Sequence, residues 1–483
     1  MAGLLSIGLT GINSSQANLL TASHNITNAN TPGFSRQTTV LTTVDPHFSG
    51  AGFFGQGSKV DSVRRQYDQF LNQQVLNASA RKEEFASYNT QIAQIDNLMA
   101  DTSAGLSPAL ADFFKGVQDV ATNPSSVPAR QALISTAQSL ASRFNALDTR
   151  LNEIRDINEG QIRSTVDSIN AYARQIADIN QRIGTLQVGG PSIPANDLLD
   201  QRDNLVAELN KLVKVTTIAE SDGSLSVFIG SGQGLVIGTT PAELAVTPDS
   251  SVPADPFRGE IRLLTPGGGS VLMPDSLLTG GQLGGLLKFR GETLNATREQ
   301  LGDIAIAVAN EFNARHAAGY ALDGATTGQA FFADISAMAA TDVGRRNAAG
   351  AFAVAISDPR MIAASGAADP ARGVTAGGSN NENALRLASL QTERVMGGGN
   401  ATFQSSYSQL VSFVGNKARE VQIGQRSQEA QLQQAIDAQQ ALSGVNLDEE
   451  AANLIRFQQS YQAAARVMTV AGTLFDEILA VGR

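Results

Sequence analysis

The sequence predicts a mainly α-helical protein: a long coiled-coil helical bundle formed by the N- and C-terminal parts of the chain, with an inserted β-rich domain. Three observations predict it. Near the C-terminus Leu447, Leu454, Tyr461, Met468 and Phe475 recur every seven residues, and Phe457, Ala464, Ala471 and Ile478 fill the position three residues later, as a coiled-coil seam requires. At the other end Leu5, Ile12, Leu19 and Ile26 keep the same period, with small Gly8, Ser15, Ala22 and Ala29 in the second seam position. Between the ends, residues 215–273 break into short alternating apolar runs separated by Gly-containing turns, which is a strand pattern.

Taken in order, the first helix is expected from Leu4 to Asn28. It stops at ANTPGF (29–34), where Pro32 forces Thr31 out of helical geometry and Pro32-Gly33 needs positive φ at its second residue. Thr- and Val-rich alternation with Gly and Pro interruptions follows to about Val63, predicting short strands and loops. A long helix then carries Tyr67, Leu71, Ala78, Phe85, Tyr88, Ile92, Ile95 and Met99 on one stripe, and a short helical piece around Phe113 lies between Ser107-Pro108 and Asn123-Pro124. From Ala129 to Leu186 no Gly-Pro break occurs, so one rod-like helix of roughly 80 Å is expected at about 1.5 Å per residue.

A loop over 188–197 leads to the amphipathic LLDQRDNLVAELNKLV, with Asn196 or Asp197 as its N-cap. The strands VTTIAE, LSVFIG, GLVIG, ELAVT, EIRLL and SVLM follow, the first pair joined by an Asp222-Gly223 turn. Helical spacing resumes from Leu283 to His316, and again over 381–395 and 402–442, before Ser443-Gly444 breaks it. The domains are therefore nested: 1–40 with 443–483 as the terminal coiled coil; 41–212 with 283–318 and 378–442 as the long bundle; 213–282 as the β insertion, with irregular 319–377 expected to pack with it.

At 483 residues, 42 % hydrophobic and 17 % charged, the chain is long enough to bury a sizeable core. A net charge of -10 without any run of Lys or Arg argues against nucleic acid or an anionic membrane as partner. There is no Cys, so disulfides and thiolate metal sites are excluded. No apolar run reaches the roughly 18 residues of a membrane span. Residues 1–35 lack the Lys or Arg of a secretory n-region, so export, if it occurs, is expected without a cleaved signal peptide.

The chemistry-bearing motifs all have structural readings. Asn446 with Asp448, Glu449 and Glu450 is a helix N-cap with carboxylates on the positive dipole end. GSGQG (230–234) lies between strand patterns, which makes it a hairpin loop, and the Gly pairs at 280/281 and 284/285 lack the GK[ST] of a phosphate loop. Asp200, Arg202 and Asp203 are read as the solvated face of their helix. His24, His47 and His316 are far apart in sequence and no Ser occupies a G-x-S-x-G turn, so no catalytic, cofactor or metal constellation is expected. Two narrow apolar stripes without a third layer cannot close a core alone, so the terminal helices are expected to order when neighbouring copies supply the missing surface.

Two end segments, LLSIGLTGINSSQANLLTASHNITNANTPGFSRQ and SGVNLDEEAANLIRFQQSYQAAARVM, resemble the axial proteins of the bacterial flagellum. NDLLDQRDNLVAEL (196–209) and FNARHAAGYALDGATTGQAFF (312–332) resemble the hook-filament junction, or hook-associated, family in particular. The resemblance implies a non-enzymatic subunit, outside the cell in the flagellum, exported by a type III apparatus. It implies as partners other copies of the chain, the hook protein, the neighbouring hook-associated protein on the filament side, and a cytoplasmic export chaperone on the C-terminal helix. It also implies that Asn28, Asn30, Thr31, Pro32, Gly33 and Phe34 form the loop after the first helix, near the seam of Leu454, Phe457, Tyr461 and Met468. Region 333–377 is short beside larger members, which implies that an outermost domain is missing. A hook or rod subunit would share ANTPGF but lack the 196–209 helix; a secreted coiled-coil adhesin would not pair heptads at both ends; a cell-wall hydrolase would need a carboxylate such as Asp200 or Glu449 to carry activity.

Overall fold

The computed structural model describes residues 2–48, 50, 52–100, 105–187, 195–251, 255–265 and 267–481. Of the loop expected at 188–197, residues 188–194 lie outside the described residues. Helix α1 spans Ala2–Asn28, and Gly33 in the following turn adopts φ 78, as the Pro-Gly pair requires. Strands β1 (Gln37–Thr43) and β4 (Ser58–Arg65) pair antiparallel, with the small β2 (His47–Phe48) and β3 (Phe53–Phe54) ladder at the far end of this ribbon. The expected boundary at residue 40 falls inside β1, because the ribbon packs along α1.

Helices α2 (Gln69–Ala100), α3 (Leu106–Thr122) and α4 (Val127–Gln187) follow. At 61 residues, α4 runs for about 90 Å and is the spine of the molecule. Two apolar cores sit along it. The first gathers Leu133, Leu140, Phe144 and Leu151 of α4 with Ile92 and Ile95 of α2, and with Phe113 of α3. It also takes Phe312 of α7 (Asn295–Ala317) and Leu410 and Val414 of α10 (Phe403–Ser443). The second core begins further along α4, with Ile162, Ile169 and Ile176. It receives Val206 and Leu209 of α5 (Asn196–Leu212) and Leu283 and Leu286 of α6 (Gly281–Lys288), beneath two antiparallel sheets. One sheet orders β5 (Val215–Ala219), β6 (Leu225–Ile229), β7 (Gln233–Ile237) and β8 (Thr240–Pro241) in sequence. The other places β10 (Gly259–Leu264) between β9 (Glu243–Pro248) and β11 (Ser270–Met273).

Polar side chains of α4 dock these sheets by satisfying backbone groups that would otherwise be buried unpaired. Asn170 donates to Leu244 O at 2.8 Å and accepts from Leu244 N at 2.8 Å, while Asn180 donates to Leu225 O at 2.8 Å. Between the two cores lies a polar layer, in which buried Arg290 donates to Glu159 at 2.7 Å and to Asp275 at 2.8 Å. Arg290 belongs to a π-helical turn, Phe289–Leu294, that joins α6 to α7.

Segment 319–377 departs from expectation: it packs on the helical bundle, and no residue of it joins the core beneath the sheets. Phe331, Phe332 and Phe352 enter the first core, where Phe331 and Phe312 rings are 4.8 Å apart and Phe332 and Phe352 rings 4.7 Å apart. Buried aromatic rings outweigh the absence of regular periodicity, since each contributes a large apolar area. Helices α8 (Asp342–Ala351) and α9 (Glu382–Ser389) complete this side. Helix α10 begins in a capping box between Thr402 and Ser405, and after Gly444 the last helix, α11 (Leu447–Val481), returns to α1.

Candidate assembly interface

The two terminal helices pair with each other, as their matching heptads predict. They are antiparallel: Gly8 faces Met468, Gly11 faces Ala464 and Asn25 faces Glu450. A Cβ on Gly8 would stand 2.8 Å from Met468 Cγ, and one on Gly11 would stand 3.2 Å from Ala464 Cβ. The small seam positions thus let the backbones approach closely, and Gly8, Ser15, Ala22 and Ala471 are the buried ones. Leu5, Ile12, Leu19 and Ile26 are half-buried beside them, as are Leu454, Phe457 and Met468. Leu447, Tyr461 and Phe475 remain exposed at 51 %, 39 % and 46 %. Further apolar side chains face outward: Leu4, Leu9 and Leu20 on α1, and Ile455, Val470, Leu474 and Ile478 on α11. Among the described residues, neither apolar core contains a residue of α1 or α11.

What fixes the pair at one end is a polar clasp. Asn25, buried in α1, donates to Gln37 O and accepts from Gln37 N, both at 2.9 Å, so one amide reads the backbone of β1 like a neighbouring strand. Its Nδ2 also reaches Glu450 Oε2 at 3.3 Å. Arg36 donates to Glu450 at 2.7 Å and to Glu449 at 2.8 Å, and its backbone N donates to Ser443 O at 3.0 Å. Asn446 accepts from Asp448 N at 3.0 Å, which is the expected cap. The carboxylates therefore serve both the helix dipole and Arg36. The sequence marks the cap; it does not mark Arg36 or Asn25 as its partners.

The ANTPGF loop lies at the Leu447 end of α11, far from Met468, so it does not line the whole seam. Thr31 Oγ1 donates to Asn28 Oδ1 at 3.1 Å, and the Phe34 ring meets the His24 ring edge-on at 5.4 Å. Asn30, Thr31, Pro32 and Gly33 are exposed, while Asn28 and Phe34 are half-buried. A Cβ on Gly33 would be 3.1 Å from Asn204 Cβ, which puts the turn against α5.

Helix α5 corrects two expectations. Its N-cap is Ala195 without a side-chain cap bond, because Asn196 is turned inward and donates to Gln37 Oε1 at 3.1 Å and Val63 O at 2.9 Å. Asp200 and Arg202 are buried, not solvated. Arg65 of β4 donates to Asp200 at 2.7 Å and to Asp203 at 2.8 Å, and Arg202 donates to Gly223 O at 2.8 Å. Burial pushes the Asp203 carboxyl up despite Arg65, and burial with Asp203 nearby pushes Tyr67 up to about 12. An amphipathic pattern cannot distinguish water from a strand-borne arginine as the partner of a carboxylate.

Burial holds His316 down to about 4. Its Nε2 accepts from Ala363 N at 2.8 Å, so Nδ1 carries the proton and donates to Gln329 O at 2.6 Å. The ring is a neutral spacer between two backbones. Among the described residues no group of three His, Asp or Glu is placed to hold a metal, and no helix is long and apolar enough to cross a membrane.

Residues 92–332 match the family described as the flagellar hook-associated protein FlgK helical domain. Residues 438–481 match the flagellar basal body rod FlgEFG protein C-terminal family. Flagellar hook-associated protein 1 of Salmonella typhimurium is 34 % identical, covering 99 % of this chain and 100 % of that protein. Those of Escherichia coli and Bacillus subtilis are 32 % and 27 % identical, over 99 % and 97 % of this chain and 100 % and 96 % of theirs. A solved structure, the flagellar hook junction protein FlgK from Burkholderia pseudomallei, shares the fold at 22 % identity with a TM-score of 0.67, covering 77 % of this chain and all of that one. With similarity sustained from end to end, the chain belongs to the flagellar hook-associated protein 1 family, structural components of the hook-filament junction.

Proposed function

We propose that copies of this chain join hook to filament through their paired terminal helices, acting by position and not by catalysis. The observation that carries the reading is the thin α1–α11 pair: it displays Leu4, Leu9, Leu20, Ile455, Val470, Leu474 and Ile478 to solvent, and neither core reaches beneath it. Exposed apolar side chains gathered on one pair of helices mark an interaction site. Packing such pairs side by side buries these side chains, which the β1–β4 ribbon along α1 leaves uncovered.

On this reading the partners are further copies of the chain, the hook protein below and the neighbouring hook-associated protein on the filament side. Before assembly the exposed face of α11 is the surface for a cytoplasmic export chaperone, and the assembled chain lies outside the cell in the flagellum. The sheets stand on α4 and would face outward. Adding purified chain to isolated hooks and viewing their ends by electron microscopy tests the reading. The wild-type chain is expected to cap hook ends, while a variant carrying Val470→Ser, Leu474→Ser and Ile478→Ser stays in solution with its cores melting as before. Equal capping by the variant, or none by the wild type, contradicts the reading.

A further inference from the structure

The ribbon of β1 and β4 follows α1 toward the N-terminal end of that helix. Gln37 touches Asn25, Thr39 touches Thr21 at 3.0 Å and Ser58 touches Ser14 at 3.1 Å. A Cβ on Gly57 would lie 3.4 Å from Ile7 Cα, so the ribbon keeps to the helix surface as far as its first turns. At its end sits the two-residue ladder of β2 and β3, in which Phe48 lies opposite Phe53 with rings 5.2 Å apart. Phe48, Phe53 and Phe54 are 59 %, 73 % and 57 % exposed. A ladder this short cannot hold three phenylalanines in water through any core of its own.

The same end of the molecule carries a second uncovered apolar feature. In the antiparallel register that places Gly8 on Met468, residues 474–481 of α11 extend past Ala2. Phe475 and Ile478 continue the heptad of Met468 and Ala471, yet they are 46 % and 57 % exposed, with Leu474 beside them at 39 %. Among the described residues, α1 offers these seam positions no partner like the one Gly8 gives Met468. The chain's own ribbon tip does not cover them, since both features are exposed together.

We propose that the Phe48, Phe53 and Phe54 tip of one copy docks on the Leu474, Phe475 and Ile478 end of α11 in a second copy. The inference rests on the proposed assembly of copies and names one contact within it. A rotation about an axis parallel to the helix pair leaves heights unchanged, so it brings a tip at one end of a subunit to the α11 end of the next. Two different patches on one subunit, meeting in this way, form a heterologous contact, and such contacts close into rings when the rotation permits. The tip completes the seam that α11 continues beyond α1.

The chain has no Cys, so single thiols report cleanly. One preparation carries Phe53→Cys, another carries Ile478→Cys, and the two are mixed, assembled on isolated hooks and oxidised. A product of twice the chain mass containing both variants is expected, with none before assembly and none when Ile218→Cys in the sheet replaces Ile478→Cys. A companion chain with Phe48, Phe53 and Phe54 all replaced by Ser is expected to melt like wild type and to fail in assembly. Assemblies that form without the mixed product, or with only Phe53→Cys joined to itself, overturn this contact and leave the proposed function standing. Failure of every chain, wild type included, to assemble overturns both.

Discussion

Replacing Arg36 by Met tests whether the clasp holds the terminal pair independently of the cores. Arg36 is 16 % exposed in its side chain and Glu450 only 3 %, and they meet at 2.7 Å. Removing the cation leaves Glu450 buried with only the Asn25 amide at 3.3 Å. A buried carboxylate stripped of its partner costs about 3–5 kcal/mol, and the partial exposure of Arg36 places this case near about 3 kcal/mol. That corresponds to roughly a hundredfold in the opening equilibrium. Since no residue of α1 or α11 belongs to either core, the loss should be local. Native-state hydrogen exchange of hook-bound assemblies, read by mass spectrometry, is the assay. Amides of residues 18–28 and 447–460 are expected to exchange roughly a hundredfold faster, with α4 amides unchanged. The double variant Arg36→Met, Glu450→Met should recover most of the loss, because replacing both partners removes the uncompensated charge. Equal loss of protection in α4, or no recovery in the double variant, refutes the reasoning.

Other consequences follow from single contacts. Because His316 is held at about 4 against an ordinary 6.5, its neutral form is the folded one; its contribution is full above pH 6.5 and fades as pH falls toward 4, by roughly 3 kcal/mol. Denaturant melts at stepped pH should show that slope in the wild type and a shallower one in His316→Gln. In Gly302→Ala the new Cβ would collide with Arg345 O, forcing α8 off α7; a loss of about 1–3 kcal/mol should lower the urea midpoint despite the better helix former. Arg290→Met strips Glu159 and Asp275 of their shared cation in the layer between the cores, and about 3–5 kcal/mol should be lost in the same measurement.

The terminal pairing was legible in the sequence because a heptad repeat is a one-dimensional signal of a packed seam, and Leu454, Phe457 and Met468 lie in it. Pro32-Gly33, the rod of α4 and the strands from Val215 to Met273 were legible for similar local reasons. Which seam residues pack most tightly was not: small Gly8, Ser15 and Ala22 are buried while the larger Leu5 and Ile12 are half-buried, because close approach of backbones favours the smaller side chain. The burial of Asp200 and Arg202 was invisible because their partners, Arg65 and Gly223, are supplied by other elements. Segment 319–377 lacked periodicity, so its aromatic residues gave no sign of which core Phe331, Phe332 and Phe352 would enter. The clasp was half visible: Asn446 announces a helix start, whereas Asn25 and Arg36 find Glu450 only once the chain has folded back over more than four hundred residues.

The central claim is that the α1–α11 pair becomes fully ordered through neighbouring copies, and limited proteolysis of the soluble monomer beside hook-bound assemblies tests it most directly. In the monomer, fragment masses should show early loss of roughly 65 residues from the N-terminal end and roughly 40 from the C-terminal end, leaving a core from about Tyr67 to about Leu442, whereas the assembled chain should keep both ends. Ends as resistant in the monomer as α4 itself would contradict the account, for the terminal pair would then be complete without a second copy.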